Sequence, residues 1–417
     1  MAEPHKERNT EAPEPMARPV GGTEYSWCKA VPTGTGITVL ALLLSKHPNI
    51  QLLRTALNNL QNNHPILRSK LHSSADAKTF SFITPPEPHI LIQQCDISST
   101  SQTISDKTGA GSPFQLILEH ELNRNTWTNP SHQSNTNSDS NLFYVSIYTP
   151  SETQWVVTLR LHTSICDRAS AVAVSKELLR LMTGRDEGGI EKEYDRKGEV
   201  SLGIEEFIPS GKANKPFWAR GVDMLGYSLN SLRLSNISFV DADSPRFSQV
   251  LRLQLNRDET ARLVEGCKSR GIKLCGALAA AGLIAARSTK YFPSHQREKY
   301  AVVTLVDCRS ILEPVLSDDY LASSLRTAVI SVFEDPIVDE TNKLHQEIGL
   351  EDYIGCSSVH GVGPSIAIFD TIRDGWLDCA CVYPSPLHSR EQLQQLIDDM
   401  KKILVEGGSF GDGETGE

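Results

Sequence analysis

The chain has 417 residues, of which 39% are hydrophobic and 22% are charged. This composition is typical of a soluble protein with room for two domains or one large core. A formal net charge of −10 argues against nucleic acid or an acidic membrane surface as the main partner. The sequence contains no long apolar run and opens on no signal peptide, so we expect a cytoplasmic protein that does not span a membrane.

The nine cysteines follow no spacing that is typical of zinc sites or disulfide frameworks. Most of them lie in apolar segments, where a free cysteine behaves as a small hydrophobic residue. Cys379 and Cys381 share one face of a predicted strand, and we interpret them as packing residues. HExxH, CxxC and glycine-rich nucleotide patterns are also missing from the sequence, so it predicts neither a metal site nor a bound cofactor.

The first part of the chain predicts a disordered segment followed by strands and one clear helix. Residues 1–18 are rich in Glu, Pro and Arg and have almost nothing to bury, which is typical of disorder. Residues 49–63 carry apolar side chains at helical spacing and predict an amphipathic helix. The other elements predicted here are a strand over 21–30, a turn at 34–36, and strands over 70–72, 80–83 and 89–93.

A predicted hairpin leads into a second helix. Residues 142–148 and 155–161 have the alternation of β-strands, with a Pro-Ser-Glu turn between them. Residues 169–182 carry apolar side chains near a 3.6-residue period and predict a helix. Upstream of the hairpin, the sequence predicts a short helix over 114–122 and a polar loop over 129–141.

The turn between that hairpin and that helix holds four polar or reactive side chains: His162, Thr163, Cys166 and Asp167. A turn that joins a rigid strand to a rigid helix can hold such side chains in one geometry beside a cleft. We therefore take this turn as the candidate functional site.

Residues 184–246 differ in composition from the segments before them, since a charged loop is followed by a predicted helix over 215–232. We interpret them as a crossover between two halves. The second half predicts a further set of strands and helices, the last of which Ser389 caps. The strands cover 248–255, 300–306, 326–333, 365–370 and 376–383, and the helices cover 258–270, 274–288 and 389–404.

Three short segments resemble the CoA-dependent acyltransferase superfamily, which includes chloramphenicol acetyltransferase, non-ribosomal peptide condensation domains, alcohol acetyltransferases and plant BAHD acyltransferases. Residues 162–168 are similar to its HHxxxDG signature, residues 64–68 (HPILR) to its opening phrase, and residues 306–309 (VDCR) to its VDxR segment. The resemblance runs in element order from about residue 20 to 405. It implies an α/β fold of two chloramphenicol acetyltransferase-like lobes, mixed sheets covered by helices, with a tunnel between the lobes.

On this basis we divide the chain into five parts. They are a disordered segment at 1–18, an N-terminal lobe with the signature turn at 19–183, a crossover at 184–246, a C-terminal lobe at 247–405 and a flexible tail at 406–417.

The signature departs from the family pattern at the position that matters most for chemistry. In the superfamily the second histidine removes a proton from the acceptor hydroxyl or amine, which then attacks a thioester carbonyl. Thr163 stands at that position here, and a threonine hydroxyl is far too weakly basic for this role. His162 takes the place of the first histidine, and Arg168 replaces the glycine.

Three readings of His162 remain open from the sequence. It supports the turn, or a local bulge lets it reach the cleft as a replacement base, or it is an inert, partly buried side chain. Thr163 either hydrogen-bonds a substrate carbonyl or oxyanion or simply ends the strand. We interpret Cys166 as a packing residue, because the adjacent Asp167 raises a thiol pKa instead of lowering it.

The resemblance implies roles for two further positions. The family's signature aspartate is structural and pairs with the arginine of the VDxR segment, so we expect Asp167 to pair with Arg309. His360 lies in a glycine-rich stretch of the second half. It is either a substrate-binding residue of the interlobe channel or a solvated loop histidine.

Two functions remain compatible with the sequence. The first is an acyltransferase that moves an acyl group from a CoA or carrier thioester to an alcohol or amine, with acyl-CoA as co-substrate. The second is a non-catalytic relative that binds a small molecule or a partner protein in the inherited tunnel. The threonine at the position of the family's base favours the non-catalytic relative, whereas the family as a whole favours the acyltransferase.

Overall fold

The computed structural model describes residues 14–74, 78–105, 111–128, 139–183, 201–211, 237–288, 300, 302–305, 307–316, 330–333, 337–339, 342–361 and 363–408. The predicted helix at 215–232 and most of the predicted loop at 129–141 lie outside these ranges. Among the described residues, no single helix is long and apolar enough to cross a membrane, and one pair passes only if joined across a 106° bend.

Helices and strands alternate along the described chain. The helices are α1 (Gly22–Ala30), α2 (Ile50–Asn63), α3 (Ile97–Ser105), α4 (Pro113–Asn123), α5 (Arg168–Met182), α6 (Arg257–Ser269), α7 (Leu274–Ser288), α8 (Asn342–Ile348) and α9 (Arg390–Gly408). The strands are β1 (Met16–Pro19), β2 (Thr35–Leu44), β3 (Lys70–Ser73), β4 (Phe80–Thr84), β5 (Ile92–Cys95), β6 (Ser140–Asn141), β7 (Phe143–Ser151), β8 (Gln154–His162), β9 (Phe247–Leu255), β10 (Val302–Leu305), β11 (Ile330–Phe333), β12 (Ile337–Asp339), β13 (Leu350–Val359), β14 (Ile366–Arg373) and β15 (Trp376–Ser385).

One five-stranded sheet combines strands from both halves of the sequence, in the order β13-β2-β8-β7-β5. β7 and β8 form the predicted antiparallel hairpin, whereas β5 pairs with β7 in parallel. β13, from the second half, runs antiparallel to β2, from Leu350 opposite Leu44 to Val359 opposite Thr35. The second half of the chain therefore completes the sheet of the N-terminal lobe.

A second sheet forms the C-terminal lobe, in the order β10-β11-β14-β15-β9, with β12 beside β14. β10, β11 and β14 are parallel, and β14, β15 and β9 are antiparallel. A third, antiparallel sheet joins β1, β4, β3 and β6. The mixed α/β architecture that the sequence predicted is confirmed.

Local signals explain where the main helices begin. The Asn49 side chain accepts hydrogen bonds from the N–H groups of Gln51 and Leu52, both at 3.0 Å, and so caps α2. Asn256 and Glu259 form a reciprocal capping box at the start of α6. The apolar faces of α2 and α5 then pack on one sheet, and those of α6, α7 and α9 pack on another.

Three large apolar clusters hold the described parts of the chain together. One packs α2 and α5 on one face of the N-terminal sheet, and another packs α6, α7 and α9 on the C-terminal sheet. The third joins the lobes, because it combines Val39 and Ile117 of the first lobe with Val250, Ala380 and Val382 of the second. The lobes therefore share a buried apolar contact.

Several sequence predictions were wrong in detail. Residues 21–30 form helix α1 and not a strand, because Glu24 binds the Gly21 N–H at 2.6 Å and pairs with Arg18 at the helix start. Order begins before the expected boundary at 18, since β1 pairs with β4. The strand expected at 89–93 lies at Ile92–Cys95, and α9 continues to Gly408 into the predicted tail.

Candidate functional site

The turn between β8 and α5 is held by its own backbone. The His162 N–H donates to the Leu142 carbonyl at 2.9 Å, and the Ile165 N–H donates to the His162 carbonyl at 3.0 Å. The Asp167 carboxylate then accepts from the Ser170 N–H at 2.9 Å and so caps α5. The strand and the helix therefore fix both ends of the turn.

Asp167 and Arg309 lie together, as the resemblance implied. Arg309 Nη2 donates to Asp167 Oδ1 at 2.9 Å and to Ser170 Oγ at 2.9 Å, and its Nη1 donates to Asp307 at 2.9 Å. Both Asp167 and Arg309 are buried. Burial alone would lower the pKa of Arg309, but the charges and hydrogen bonds of Asp167 and Asp307 raise it above its ordinary value.

His162 is fully buried. Its Nδ1 accepts a hydrogen bond from the Ser164 N–H at 3.1 Å, and its ring meets Trp127 edge-on with centroids 5.2 Å apart. Nε2 is buried without a hydrogen-bond partner among the described residues. Burial lowers the pKa of His162 to about 3, so the ring is neutral at physiological pH.

The β2–β8 ladder is regular up to His162, which pairs with Ile37. The bulge that a relocated base would require is therefore absent from this ladder. His162 has the geometry of a side chain that supports the turn.

Thr163 ends a chain of hydroxyl groups. Its Oγ donates to the Gly36 carbonyl at 2.5 Å and lies 2.8 Å from Thr38 Oγ, which lies 2.7 Å from Ser357 Oγ. Because each hydroxyl has one proton, the bonds run from Ser357 to Thr38 to Thr163 to Gly36. At the position of the family's base, the structure thus places a buried hydroxyl whose proton is already bound.

The neighbouring Cys166 and Arg168 have structural surroundings. Cys166 is fully buried, and burial together with the Asp167 charge raises the pKa of its thiol, so it stays protonated and unreactive. Arg168 pairs with the buried Asp370 of β14 at 3.0 Å. Adjacent residues of the turn, Asp167 and Arg168, therefore bind opposite charges on the second half of the chain.

His360 follows β13 at the seam between the two halves. Its Nδ1 lies 3.0 Å from Ser248 Oγ of β9, and its ring packs on Gly34. The ring is partly buried, and burial lowers its pKa to about 4. It is therefore an anchored side chain and differs from a freely solvated loop histidine.

Sequence reasoning missed several groups at this site. Thr38, Ser357 and Ser248 belong to β2, β13 and β9, and β2 and β13 themselves were not predicted. The apolar stretch at 37–44 carried a strand signal that could have found β2. The segment at 350–359 has only Ile354 and Val359 as β-branched residues, so its strand signal is weak. Asp370, the partner of Arg168, had no local signal, because only the sheet topology brings it to α5.

The described part of the chain contains no group of three His, Cys, Asp or Glu side chains arranged for a metal ion. A pocket of about 360 Å³ opens near Arg373, Trp376 and Asp378, and the signature turn does not line it. An interlobe tunnel past Thr163 stays a prediction.

Comparison by sequence finds one family match. Residues 244–337 match the family described as the phthiocerol/phthiodiolone dimycocerosyl transferase C-terminus. No curated protein sequence matches the chain.

Comparison by structure finds relatives over almost the whole length. Trichothecene 15-O-acetyltransferase from Fusarium sporotrichioides superposes with a TM-score of 0.65 at 12% identity, covering 94% of this chain and 95% of the relative. Polyketide synthase associated protein 5 from Mycobacterium tuberculosis superposes with a TM-score of 0.57 at 15% identity, covering 94% of this chain and 98% of that protein. A cyclization-docking bidomain of a non-ribosomal peptide synthetase from Sorangium cellulosum superposes with a TM-score of 0.63 at 13% identity, covering 96% of this chain and 88% of the bidomain.

The chain has the chloramphenicol acetyltransferase-like acyltransferase fold. In this acyltransferase fold the signature turn keeps its scaffold, since Asp167 caps α5 and meets Arg309 across the lobes. At the position of the superfamily's second histidine, Thr163 is hydrogen-bonded into the sheet. The resemblance inferred from the sequence is confirmed for the fold.

Proposed function

We propose that this protein transfers an acyl group from a CoA or carrier thioester to an amine acceptor. One observation carries the proposal: the turn is held by Asp167 and Arg309 at 2.9 Å while no imidazole stands at the base position. A scaffold of this kind supplies orientation without proton abstraction. Proximity and orientation alone can lower a barrier by several kcal/mol, roughly 7–11 in the best intramolecular cases.

The acceptor class follows from the proton balance. An uncharged amine nitrogen attacks the thioester carbonyl carbon through its lone pair, the C–S bond breaks, and the nitrogen proton ends on the departing thiolate. An alcohol must lose its proton as it attacks, and this needs a base of suitable pKa. Thr163 cannot supply one, and neither can His162, whose pKa burial lowers to about 3. An amine is therefore favoured over the alcohol that the family also accepts.

A second function is favoured by the same surroundings of Thr163 and His162. Both side chains are buried and bonded within the sheet, as in a core that has lost its catalytic use. In this case the protein binds a thioester, another small molecule or a partner protein and performs no transfer.

Turnover measurements separate the two functions. The full-length protein is incubated with acetyl-CoA or longer acyl-CoAs and with a matched series of amines and alcohols, and free thiol is measured. Transfer to amines that rises with pH, as the free amine fraction grows, supports the proposal. Saturable acyl-CoA binding without thiol release from any pair supports the binding protein.

Matched variants test the role of the turn. If amine acylation survives His162→Asn and Thr163→Val, the reaction needs no base from either residue, as proposed. A loss of activity in His162→Asn at unchanged stability would contradict the proposal, because it would make His162 the base.

A further inference from the structure

His360 occupies a place that only a glycine at position 34 allows. Gly34 has a φ of +103°, and a Cβ built there would lie 2.2 Å from both Cδ2 and Nε2 of the His360 ring. Any other residue at position 34 would clash with the ring and would also be strained at this φ. The imidazole is thus held between Gly34 of the first lobe and Ser248 of the second.

Ser248 determines which ring nitrogen of His360 carries the proton. The Ser248 hydroxyl is fully buried and accepts the Val359 N–H at 2.9 Å. Its own proton needs an acceptor, and within the described residues the bond to His360 Nδ1, at 3.0 Å, provides it. Nδ1 is therefore the acceptor, and the neutral ring carries its proton on Nε2.

The Nε2 atom of His360 differs in its surroundings from the Nε2 atoms of two other buried histidines. Nε2 of His162 and of His388 is buried without a partner among the described residues. Nε2 of His360 is not among these fully buried, unpartnered atoms of the described residues, and the residue as a whole is partly exposed. It therefore keeps an edge that a ligand can reach.

The position of this edge connects it to the signature turn. Thr163 binds the Gly36 carbonyl through both its N–H, at 3.2 Å, and its hydroxyl. Gly34 lies two residues before Gly36, so their Cα atoms are at most about 7 Å apart. His360 and Thr163 thus flank the same short piece of backbone, at the end of the sheet where β8, β2 and β13 meet the turn.

We infer that His360 donates a hydrogen bond from Nε2 to a carbonyl oxygen of the acyl donor. This inference rests on the proposed function, since it takes a thioester as the ligand. A neutral imidazole that donates is a known way to polarise a carbonyl without supplying a base. The lowered pKa, about 4, keeps the ring neutral and the donor unchanged across the physiological range.

Two kinds of carbonyl group on an acyl-CoA can accept this hydrogen bond: the thioester carbonyl and the amide carbonyls of the pantetheine arm. Loss of the bond has different kinetic effects in the two cases. A bond to the thioester oxygen strengthens as negative charge develops, so its loss lowers kcat by about a hundredfold. A bond to an amide binds substrate and transition state alike, so its loss raises KM alone.

The kinetic test compares His360→Ala with His360→Gln, whose amide keeps an N–H near the Nε2 position. We expect a large effect in the alanine variant and partial recovery in the glutamine variant. His72→Gln, at a surface pair with Asp139, is the control. Amine transfer by wild type that is unchanged in His360→Ala would overturn the inference and leave the proposed function intact.

A spectroscopic test does not depend on turnover. ¹⁵N-histidine NMR of the full chain at pH 7, with His360→Gln for assignment, reports the tautomer directly. We expect Nε2 to be protonated, and its resonance to move on addition of a dethia ketone analogue of acetyl-CoA. An equal shift with CoA itself assigns the bond to an amide carbonyl of the arm.

Two results would overturn the inference by NMR. A proton on Nδ1 would contradict the tautomer, and an unmoved His360 resonance with the analogue bound would contradict the contact. If neither CoA nor the ketone analogue binds, both the proposed function and this inference are overturned.

Discussion

Asp167 Oδ1 and Arg309 Nη2 lie 2.9 Å apart although 142 positions separate the two residues in the sequence. The same aspartate caps α5, so one carboxylate fixes both the start of a helix and its contact with the other lobe. The same arginine also holds Asp307 and Ser170. The pair therefore acts as a structural joint at the signature turn, and this role needs no histidine at position 163.

Removing the arginine should leave a buried carboxylate without its cation. We expect Arg309→Met to lower the free energy of unfolding by ~3–5 kcal/mol, because an uncompensated buried charge is costly. Urea unfolding at pH 7, followed by far-UV circular dichroism, measures the loss. Lys402→Met is the control, since Lys402 and Glu406 are exposed and 3.9 Å apart and such pairs contribute little. A loss no larger than that of the control would contradict the structural role.

Burial of neutral His162 should make stability depend on pH. Its pKa falls from an ordinary 6.5 to about 3 in the folded state, so protonation favours the unfolded chain. The contribution is complete above pH 6.5 and is lost as pH falls toward 3, at up to ~1.4 kcal/mol per pH unit. His162→Asn, which keeps an acceptor for the Ser164 N–H, should reduce this slope. Urea midpoints at pH 7, 6 and 5 test it, with the surface variant His72→Asn as control. If the urea midpoint falls equally with pH in wild type and in His162→Asn, His162 is not held neutral in the folded state.

Local patterns in the sequence were sufficient for the hairpin, for α5 and for α2. Alternation and 3.6-residue periodicity follow from burial on one face, and each of these segments buries one face. The α1 helix (Gly22–Ala30) was missed because its stabilising contacts are polar: Glu24 binds Gly21 and Arg18. Such contacts leave no hydrophobic period in the sequence.

The site was harder to predict than the fold. Thr38 and Ser357 come within hydrogen-bond distance only because β13 crosses from the second half to pair with β2. Single-sequence reasoning has no access to that register. His162 shows a different limit, since only the regular ladder with Ile37 decides which face of the sheet its ring occupies.

The hydroxyl chain should show energetic coupling between Thr38 and Thr163. Their oxygens lie 2.8 Å apart in the protein interior, so each valine replacement leaves the other hydroxyl short of a partner. We expect the double variant Thr38→Val/Thr163→Val to lose less stability than the sum of the single variants. The difference should be about 0.5–1.5 kcal/mol. Strictly additive losses in urea unfolding would mean that the two hydroxyls do not bond.

Restoring an imidazole at position 163 should change the acceptor range. We expect Thr163→His to gain acylation of alcohols, by about a hundredfold for a well-placed base, with a pH profile that falls as the imidazole protonates. Thr163 packs on Gly36, which Trp27 also contacts, so the larger ring is expected to cost about 1–3 kcal/mol of stability through overpacking. Thr163→Gln, of similar size and without a base, is the control. Equal alcohol activity in both variants would show that acceptor choice does not depend on a base at this position.

The seam between the lobes contains a further ionic joint, and it should weaken in strong acid. Asp352 of β13 accepts from Arg252 of β9 and from Arg373 of β14, the latter at 2.9 Å. Arg252 also binds Asp378 of β15, so two cations and two anions tie the sheets together. Burial would raise the pKa of Asp352, but the two arginines outweigh it and lower the pKa.

An acid with a lowered pKa contributes stability above its ordinary pKa near 3.8, and that contribution is lost as pH falls through the lower folded value. Asp352→Asn should mimic this loss at pH 7. Because these side chains are about one-fifth exposed, solvent screens the pair, and we expect a loss of only about 1–2 kcal/mol.

Hydrogen exchange should accelerate in β13 and β15 while α2 stays protected, since α2 packs on the far side of the first sheet. Glu351→Gln, one residue earlier and exposed, is the matched control. Uniform acceleration across both lobes would show that the joint stabilises the whole chain and does not specifically hold the seam.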